Sequence, residues 1–265
     1  MKSRVLALLT VLGIVASAQA APQRSLLGLV HGDTVFVVGA HEKGRGWLDD
    51  NKAKPLFKTG QAFGVWNLTS RVGQTKIGPV MTNEPIPGWS AVGNRNFGDK
   101  TLLAISSPYV SRRVPRVQSL NQAIYVQAVQ NLLRQNKLTA AKARVTQNLR
   151  VDLNGDGRDE VILAAHSRAQ VGREPRILKN DYAFLALRFV RNGKVSTQLL
   201  EREFYAQPQS FAAPNRFEIL GCRDLDGDGT LEIIAHSAYY EGDAVTVWKF
   251  DGKSARVVLA AGWGV

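Results

Sequence analysis

The chain of 265 residues contains one cysteine, Cys222. It cannot form an intramolecular disulfide, so stability must come from a hydrophobic core or bound ions. Cys222 stands two residues before an acidic loop, where a small apolar side chain packs well. Histidine is scarce too, with only His31, His41, His166 and His236. No His-Glu-x-x-His zinc helix occurs. Gly88-Trp89-Ser90-Ala91-Val92 lacks the closing glycine of a nucleophile elbow. No hydrolase signature is complete. No segment offers the roughly 20 apolar residues that a membrane-spanning helix needs. Acidic residues are absent between Asp99 and Asp152, a stretch holding Lys100, Arg112, Arg113, Arg116, Arg134, Lys137, Lys142, Arg144 and Arg150.

What is present begins with an export signal over residues 1–20. Lys2 and Arg4 precede a short apolar run, and Ala18-Gln19-Ala20 has the small-x-small form of a cleavage site before Ala21. The expected destination is the periplasm, the cell envelope or the extracellular space.

Two acidic loops carry the most specific chemistry. One runs Asp152-Leu153-Asn154-Gly155-Asp156-Gly157-Arg158-Asp159-Glu160; the other runs Asp224-Leu225-Asp226-Gly227-Asp228-Gly229-Thr230-Leu231-Glu232. Each sets side-chain oxygens at positions 1, 3, 5 and 9, with glycine at 4 and 6. Position 7, Arg158 or Thr230, can add its backbone carbonyl. Hard cations need many oxygens around a tight turn, which favours Ca²⁺, with Mg²⁺ or Mn²⁺ as alternatives. The candidate ligands are therefore Asp152, Asn154, Asp156, Arg158 and Glu160, and Asp224, Asp226, Asp228, Thr230 and Glu232. The second loop has four carboxylates and the first three, so the second is expected to bind more tightly. Neither loop fits an EF-hand, which needs a bidentate Glu at position 12: Leu163 and Ala235 stand there, in β-type sequence.

The two loops, each with its following strand, resemble the calcium loops of FG-GAP or VCBS-type repeats, as found in integrin α-subunit propellers. Glu stands at position 9 where those families usually carry Asp, and the Phe-Gly…Gly-Ala-Pro signature is missing. The C-terminal half also resembles a family of secreted bacterial proteins with this two-loop layout and a Tyr-Tyr-Glu-Gly segment, here residues 239–242. That resemblance brings no known activity with it; the expectation of two Ca²⁺ ions comes from the oxygen ligands of the two loops.

The fold is expected to be mainly β with at least one substantial helix. Residues 21–115 form a basic β-rich region, with strand-like runs at 34–38, 63–68 and 101–105, an exposed polar stretch at 41–60 and a loop-rich stretch at 78–93. Trp47, Trp66 and Trp89 in this region suit stacking on bases or sugars or packing in cores and turns, and packing is preferred. Residues 116–150 form a helical connector. Its helix is expected over 120–135, with Ser119 and Gln122 as a capping box and one apolar face on a sheet; a second short helix is expected near 139–143. Residues 151–265 form a two-repeat module in which each loop leads to an apolar strand, an Ala-His-Ser stretch and a hairpin with Asn192-Gly193 or Asp251-Gly252 at its turn. The loops start 72 residues apart and the hairpin glycines 59 apart, which marks a polar, mobile insertion at 168–180. Two repeats cannot close a propeller, which takes at least four blades. The module is either part of a propeller-like ring with degenerate blades or a smaller sheet assembly packed on the helix, and the second is preferred.

Net charge is +12, and it is uneven: residues 21–150 carry 18 Lys+Arg against 6 Asp+Glu, and residues 151–265 carry 14 against 16. A one-sign stretch attracts polyanions such as nucleic acid, cell-wall polymer or lipopolysaccharide. The candidate contacts are Arg112, Arg113, Arg116, Arg134, Lys137, Lys142 and Arg144. The expected function is a secreted calcium-binding module that binds an anionic polymer or a protein partner, or acts as a scaffold. The alternative is a divalent-metal-dependent nucleic-acid-binding protein or nuclease, with His166 and His236 meeting near the metals as bases or ligands.

Overall fold

The computed structural model describes residues 23–82, 84, 86–109, 112–168, 176–210, 215–239 and 241–264. The signal, residues 169–175 of the insertion with its expected mobility, and Tyr240 lie outside the described residues.

The basic region folds into one antiparallel sheet of β1 (Arg24–His31), β2 (Thr34–Glu42), β3 (Gly46–Leu48), β4 (Ala62–Trp66), β5 (Arg71–Lys76), β6 (Met81–Thr82), β7 (Trp89–Val92) and β8 (Leu102–Ser106). Its order is β5-β4-β8-β1-β2-β7-β6, with β3 also on β2. The polar stretch at 41–60, expected as a long exposed hairpin or loop, begins as the hairpin from β2 to β3 and continues as the short helix α1 (Asp50–Ala53) and a 3-10 turn, Lys54–Leu56. Asp49 caps α1 by accepting the Lys52 amide at 2.9 Å, and Ala53 and Phe57 are buried, so this stretch covers one face of the sheet.

Beyond it come β9 (Arg116–Val117), α2 (Ala123–Gln135), β10 (Val145–Val151), β11 (Glu160–His166), β12 (Arg176–Ile177), β13 (Asp181–Arg191), β14 (Lys194–Tyr205), β15 (Gln209–Ser210), β16 (Arg216–Arg223), β17 (Glu232–Tyr239), β18 (Gly242–Phe250) and β19 (Ala255–Gly264). The first repeat is the meander β10-β11-β13-β14, edged by β9; the second is β16-β17-β18-β19. Within the first repeat's extra length, β12 leaves the meander to pair with β15.

Three open sheets stack, with helical cover at both ends. Ile233 and Ala235 of β17 pack against the first repeat's sheet, while Ile234 between them packs against the N-terminal sheet. On β11, Ile162 and Ala164 face the second repeat, while Val161, Leu163 and Ala165 pack with Val129, Leu132 and Leu133 of α2. Successive side chains in a strand point to opposite faces, so a strand buried on both sides needs a continuous apolar run. That accounts for both runs after the acidic loops. The C-terminal half is thus an assembly of stacked sheets, each open-edged, with the second repeat in the middle.

The class is mainly β with some helix, but the helix falls short of a substantial one. It has 13 residues and begins at Ala123, with Gln122 at its N-cap and no side-chain capping bond. The Ser119 hydroxyl accepts only from the Asn121 amide, at 3.3 Å. The preceding residues are committed elsewhere. Arg116 and Val117 pair with β10, the Gln118 amide donates to the Asn148 carbonyl at 2.8 Å, and the Asn148 side-chain amide donates to the Ser119 carbonyl at 2.8 Å. The expected apolar row splits as a result: Ala128 and Leu132 are buried, whereas Leu120 and Ile124 are exposed. A turn, not a second helix, occupies 139–140.

Candidate metal centre

Each acidic loop joins the first two long strands of its repeat, and the two share one hydrogen-bonded frame. In the first, Asp152 accepts the amides of Gly155 and Gly157 at 2.7 and 3.0 Å. Asn154 accepts that of Asp156 at 3.2 Å, Asp156 that of Arg158 at 2.8 Å, and Glu160 that of Leu153 at 2.9 Å. In the second, Asp224 accepts from Gly227 and Gly229 at 2.6 and 3.1 Å, Asp226 from Asp228 at 3.3 Å, Asp228 from Thr230 at 2.8 Å, and Glu232 from Leu225 at 2.8 Å. Each frame uses carboxylate or amide oxygens to order the turn and leaves lone pairs for a further ligand. At Gly227, φ is +78° and an added Cβ would run into the Tyr109 ring, so only glycine serves there.

The loops also touch. Leu153 and Leu231 are fully buried, and the Leu231 amide donates to the Leu153 carbonyl at 2.8 Å. Arg113 bridges the pair: its guanidinium donates to the Asp152 carbonyl at 2.8 Å and to the Gly229 carbonyl.

Glu160 and Glu232, at position 9, enter the strands and are almost completely buried. Burial, with Asp156 and Asp152 nearby, pushes the Glu160 carboxyl up to about 7. Burial, with Asp226 and Asp224 nearby, pushes Glu232 up to about 8, even with the Lys249 ammonium opposing the rise. A cation would reverse this cost by stabilising the charged forms. One carboxylate oxygen from each of Asp224, Asp226 and Glu232 lie within 4.8 Å of one another, and Glu232 Oε1 is buried without a hydrogen bond. In donor type, the loops fit a hard cation held by Asp152, Asn154, Asp156 and Glu160, or by Asp224, Asp226, Asp228 and Glu232; among the described residues, the carboxylates that converge within 4.8 Å are those of the second loop, Asp224, Asp226 and Glu232.

Sequence reasoning missed the residue that most changes the second loop. The Lys249 ammonium, on β18, pairs with Asp226, lies 2.7 Å from Asp228 and 3.5 Å from Glu232, and is only 16% exposed. It offsets part of the second loop's negative charge from inside the ligand set, where Arg113, 3.5 Å from Asp152, offsets part of the first's from its rim. His41 also lies within electrostatic range of this loop.

The basic candidates separate into two groups. Arg113 and Arg116 are not free of acids, because the fold brings the first loop to them: Arg113 lies 3.5 Å from Asp152, and Arg116 pairs with Asp159, which also lies 3.3 Å from Arg150. Arg112, Arg134, Lys137, Lys142 and Arg144 are exposed. Among the described residues, no carboxylate lies within ion-pair distance of Lys137, Lys142 or Arg144. Buried Tyr182 anchors the backbone there, donating to the Lys142 carbonyl and accepting the Arg144 amide, both at 2.8 Å.

His166 and His236 lie toward the far ends of their strands. Six residue steps of about 3.3 Å put His166 about 20 Å from Glu160. Neither histidine joins the acidic loops, which corrects the expectation that they meet near the metals. His236 is instead clamped between carboxylates, with Nε2 2.8 Å from Asp243 and Nδ1 3.4 Å from Glu218. Burial opposes its charge, but hydrogen bonds to Asp243 and Glu218 raise it to about 9. The two carboxylates favour the imidazolium form of His236 at neutral pH. It lines a cavity of about 600 Å³ at the meeting of the three sheets, together with Arg216, Gln147 and Trp263.

Cys222 is fully buried in the core between the repeats, and burial pushes its thiol up to about 12, so it packs and does not react. The tryptophans pack locally: Trp47 against His41, Trp66 beneath Arg223, and Trp89 beneath Lys54 with its indole N–H on Asn51 at 2.9 Å. Among the described residues, no helix is long and apolar enough to cross a membrane. No family model matches this chain, and neither a curated protein nor a solved structure matches it.

Proposed function

We propose that this is a secreted binding or scaffold module of the bacterial envelope or extracellular space, stabilised by calcium at its acidic loops and carrying a basic surface for an anionic polymer. The observation that carries the calcium part is the hydrogen-bonded frame repeated in two loops, each ending on a buried glutamate whose charge needs a nearby cation. Calcium would supply that charge and cross-link the entry and exit of the loop. Because the loops contact each other through Leu153, Leu231 and Arg113, order in one is transmitted to the junction of two sheets. Export suits such a site, since extracellular modules work with calcium sites of about 10⁻⁴ to 10⁻³ M. No catalytic step belongs to this reading: the two histidines are remote from the loops, and one is held protonated.

The polyanion part rests on the exposed cations around the end of α2. Lys137, Lys142 and Arg144 suit phosphate or other anionic groups better than Arg113 and Arg116, which hold the first loop.

Melting of metal-stripped protein with and without Ca²⁺ tests the first part. A higher melting temperature in Ca²⁺ supports it; identical melts in Ca²⁺ and EDTA refute it. The second part is tested by binding to duplex DNA and to lipopolysaccharide across a salt series. Wild type should bind at low salt and weaken steeply as salt rises, and Lys137→Glu/Lys142→Glu/Arg144→Glu should bind less while melting normally. Superimposed curves would remove the polyanion reading.

A further inference from the structure

We propose that the second loop carries its own cation, the Lys249 ammonium, and that the first loop alone takes up a metal ion. This rests on the reading of the loops as cation sites and assigns that role to one of them.

The difference comes from strand register. Ile233 pairs with Trp248 across β17 and β18, so the next step places Lys249 beside Glu232. In the first repeat, Val161 pairs with Arg188 across β11 and β13, so the residue beside Glu160 is Phe189. Phe189 is turned to the core, with its ring 5.1 Å from that of Phe250. The same place in the two repeats thus holds an ammonium in one and a packed phenyl ring in the other.

Lys249 meets the demands of the second loop. An ammonium has three donors and a compact charge. Here it faces three acceptor side chains, Asp226, Asp228 and Glu232. These are three of the four side chains that would bind a metal in this loop. Glu232 Oε1 has no hydrogen bond, and its one cationic neighbour among the described residues is this ammonium. A metal entering here would have to expel a mostly buried charge from three carboxylates. The cations at the first loop sit differently. Arg113 donates to the Asp152 carbonyl at 2.8 Å and lies 3.5 Å from its carboxylate, so it reaches one ligand side chain and not three, while Arg116 and Arg150 hold Asp159, which is at position 8 and outside the ligand pattern. Asp156 and Glu160 have no basic partner within ion-pair distance among the described residues.

Calcium titration of the metal-stripped protein by calorimetry decides the matter. Wild type should bind one equivalent, Asp156→Asn should lose it, Asp228→Asn should retain it, and Lys249→Met should bind two. Two equivalents in wild type, loss of binding in Asp228→Asn, or one equivalent in a folded Lys249→Met would overturn the assignment while leaving calcium binding in place. No binding by either wild type or Lys249→Met would overturn the calcium reading itself. If Lys249→Met does not fold without metal, the two Asn variants decide the assignment on their own.

Discussion

The two repeats carry nearly the same nine-residue loop, with the same backbone hydrogen bonds, but different surroundings. At the first loop, a phenyl ring stands beside the buried glutamate and arginines hold the rim. At the second, an ammonium occupies the interior. The Ala-His-Ser stretches part in the same way. His236 is charged between Glu218 and Asp243, while His166 is held toward its neutral form by burial, with Arg144 and Arg216 adding to the effect. A loop's conformation and its electrostatic state are therefore set separately. The first is encoded within nine residues, and the second by what the neighbouring strands bring.

The sharpest way to break the comparison is to attack what the loops share. Leu153→Ala and Leu231→Ala each empty a fully buried site at the loop junction and should each cost about 2–5 kcal/mol in urea unfolding. Because the residues are hydrogen-bonded neighbours, the double variant should deviate from additivity. Strict additivity would mean that the loops are energetically separate.

Metal should then separate what the frame makes alike. At a hundredfold excess over Kd, calcium should stabilise the wild type by about 2.7 kcal/mol. Asp156→Asn should abolish that gain and Asp228→Asn should preserve it, as read from melts in Ca²⁺ and EDTA. The opposite pattern would transfer the metal role to the second loop.

The histidines sharpen the contrast further. A base whose pKa is raised in the folded state contributes stability below its unfolded value, near 6.5, and loses it as pH rises through the folded value, about 9 for His236. His236→Gln should cost on the order of 1–3 kcal/mol at pH 6 and flatten the decline between pH 6.5 and 9. His166→Gln should leave that decline unchanged. An unchanged alkaline slope in His236→Gln would mean that the carboxylate clamp contributes nothing.

The smallest expected effect concerns Glu160. Its carboxyl is raised to about 7, so folding favours the protonated form, and its contribution is lost as pH rises from about 4.5 through 7. In EDTA, wild type should show this loss and Glu160→Gln should not, and calcium should suppress it in wild type. A slope that is the same in both proteins would remove Glu160 as its source.

Much of the C-terminal half was legible because its signals are local. The glycines of the loops, the apolar strands after them and the Asn-Gly and Asp-Gly turns act within a few residues, through φ, side-chain alternation and turn geometry. Less of the N-terminal sheet was legible. The strands 34–38, 63–68 and 101–105 appear as β2, β4 and β8 with shifted ends, but β1 and β5 went unread. The helix was displaced because β9 claimed residues 116–117 for a distant partner. By itself, then, the sequence determined a mainly β chain with two acidic turns of one design and an apolar strand behind each. Only the tertiary structure decided their charge environment. It placed Lys249 inside the second loop and Phe189 beside the first, brought Arg113 and Arg116 to acids far along the chain, and carried His236 away from the loops. The physical reason is range: a turn is specified by the dihedrals of adjacent residues, whereas a buried charge is balanced by whichever group strand register and sheet stacking bring within a few ångströms.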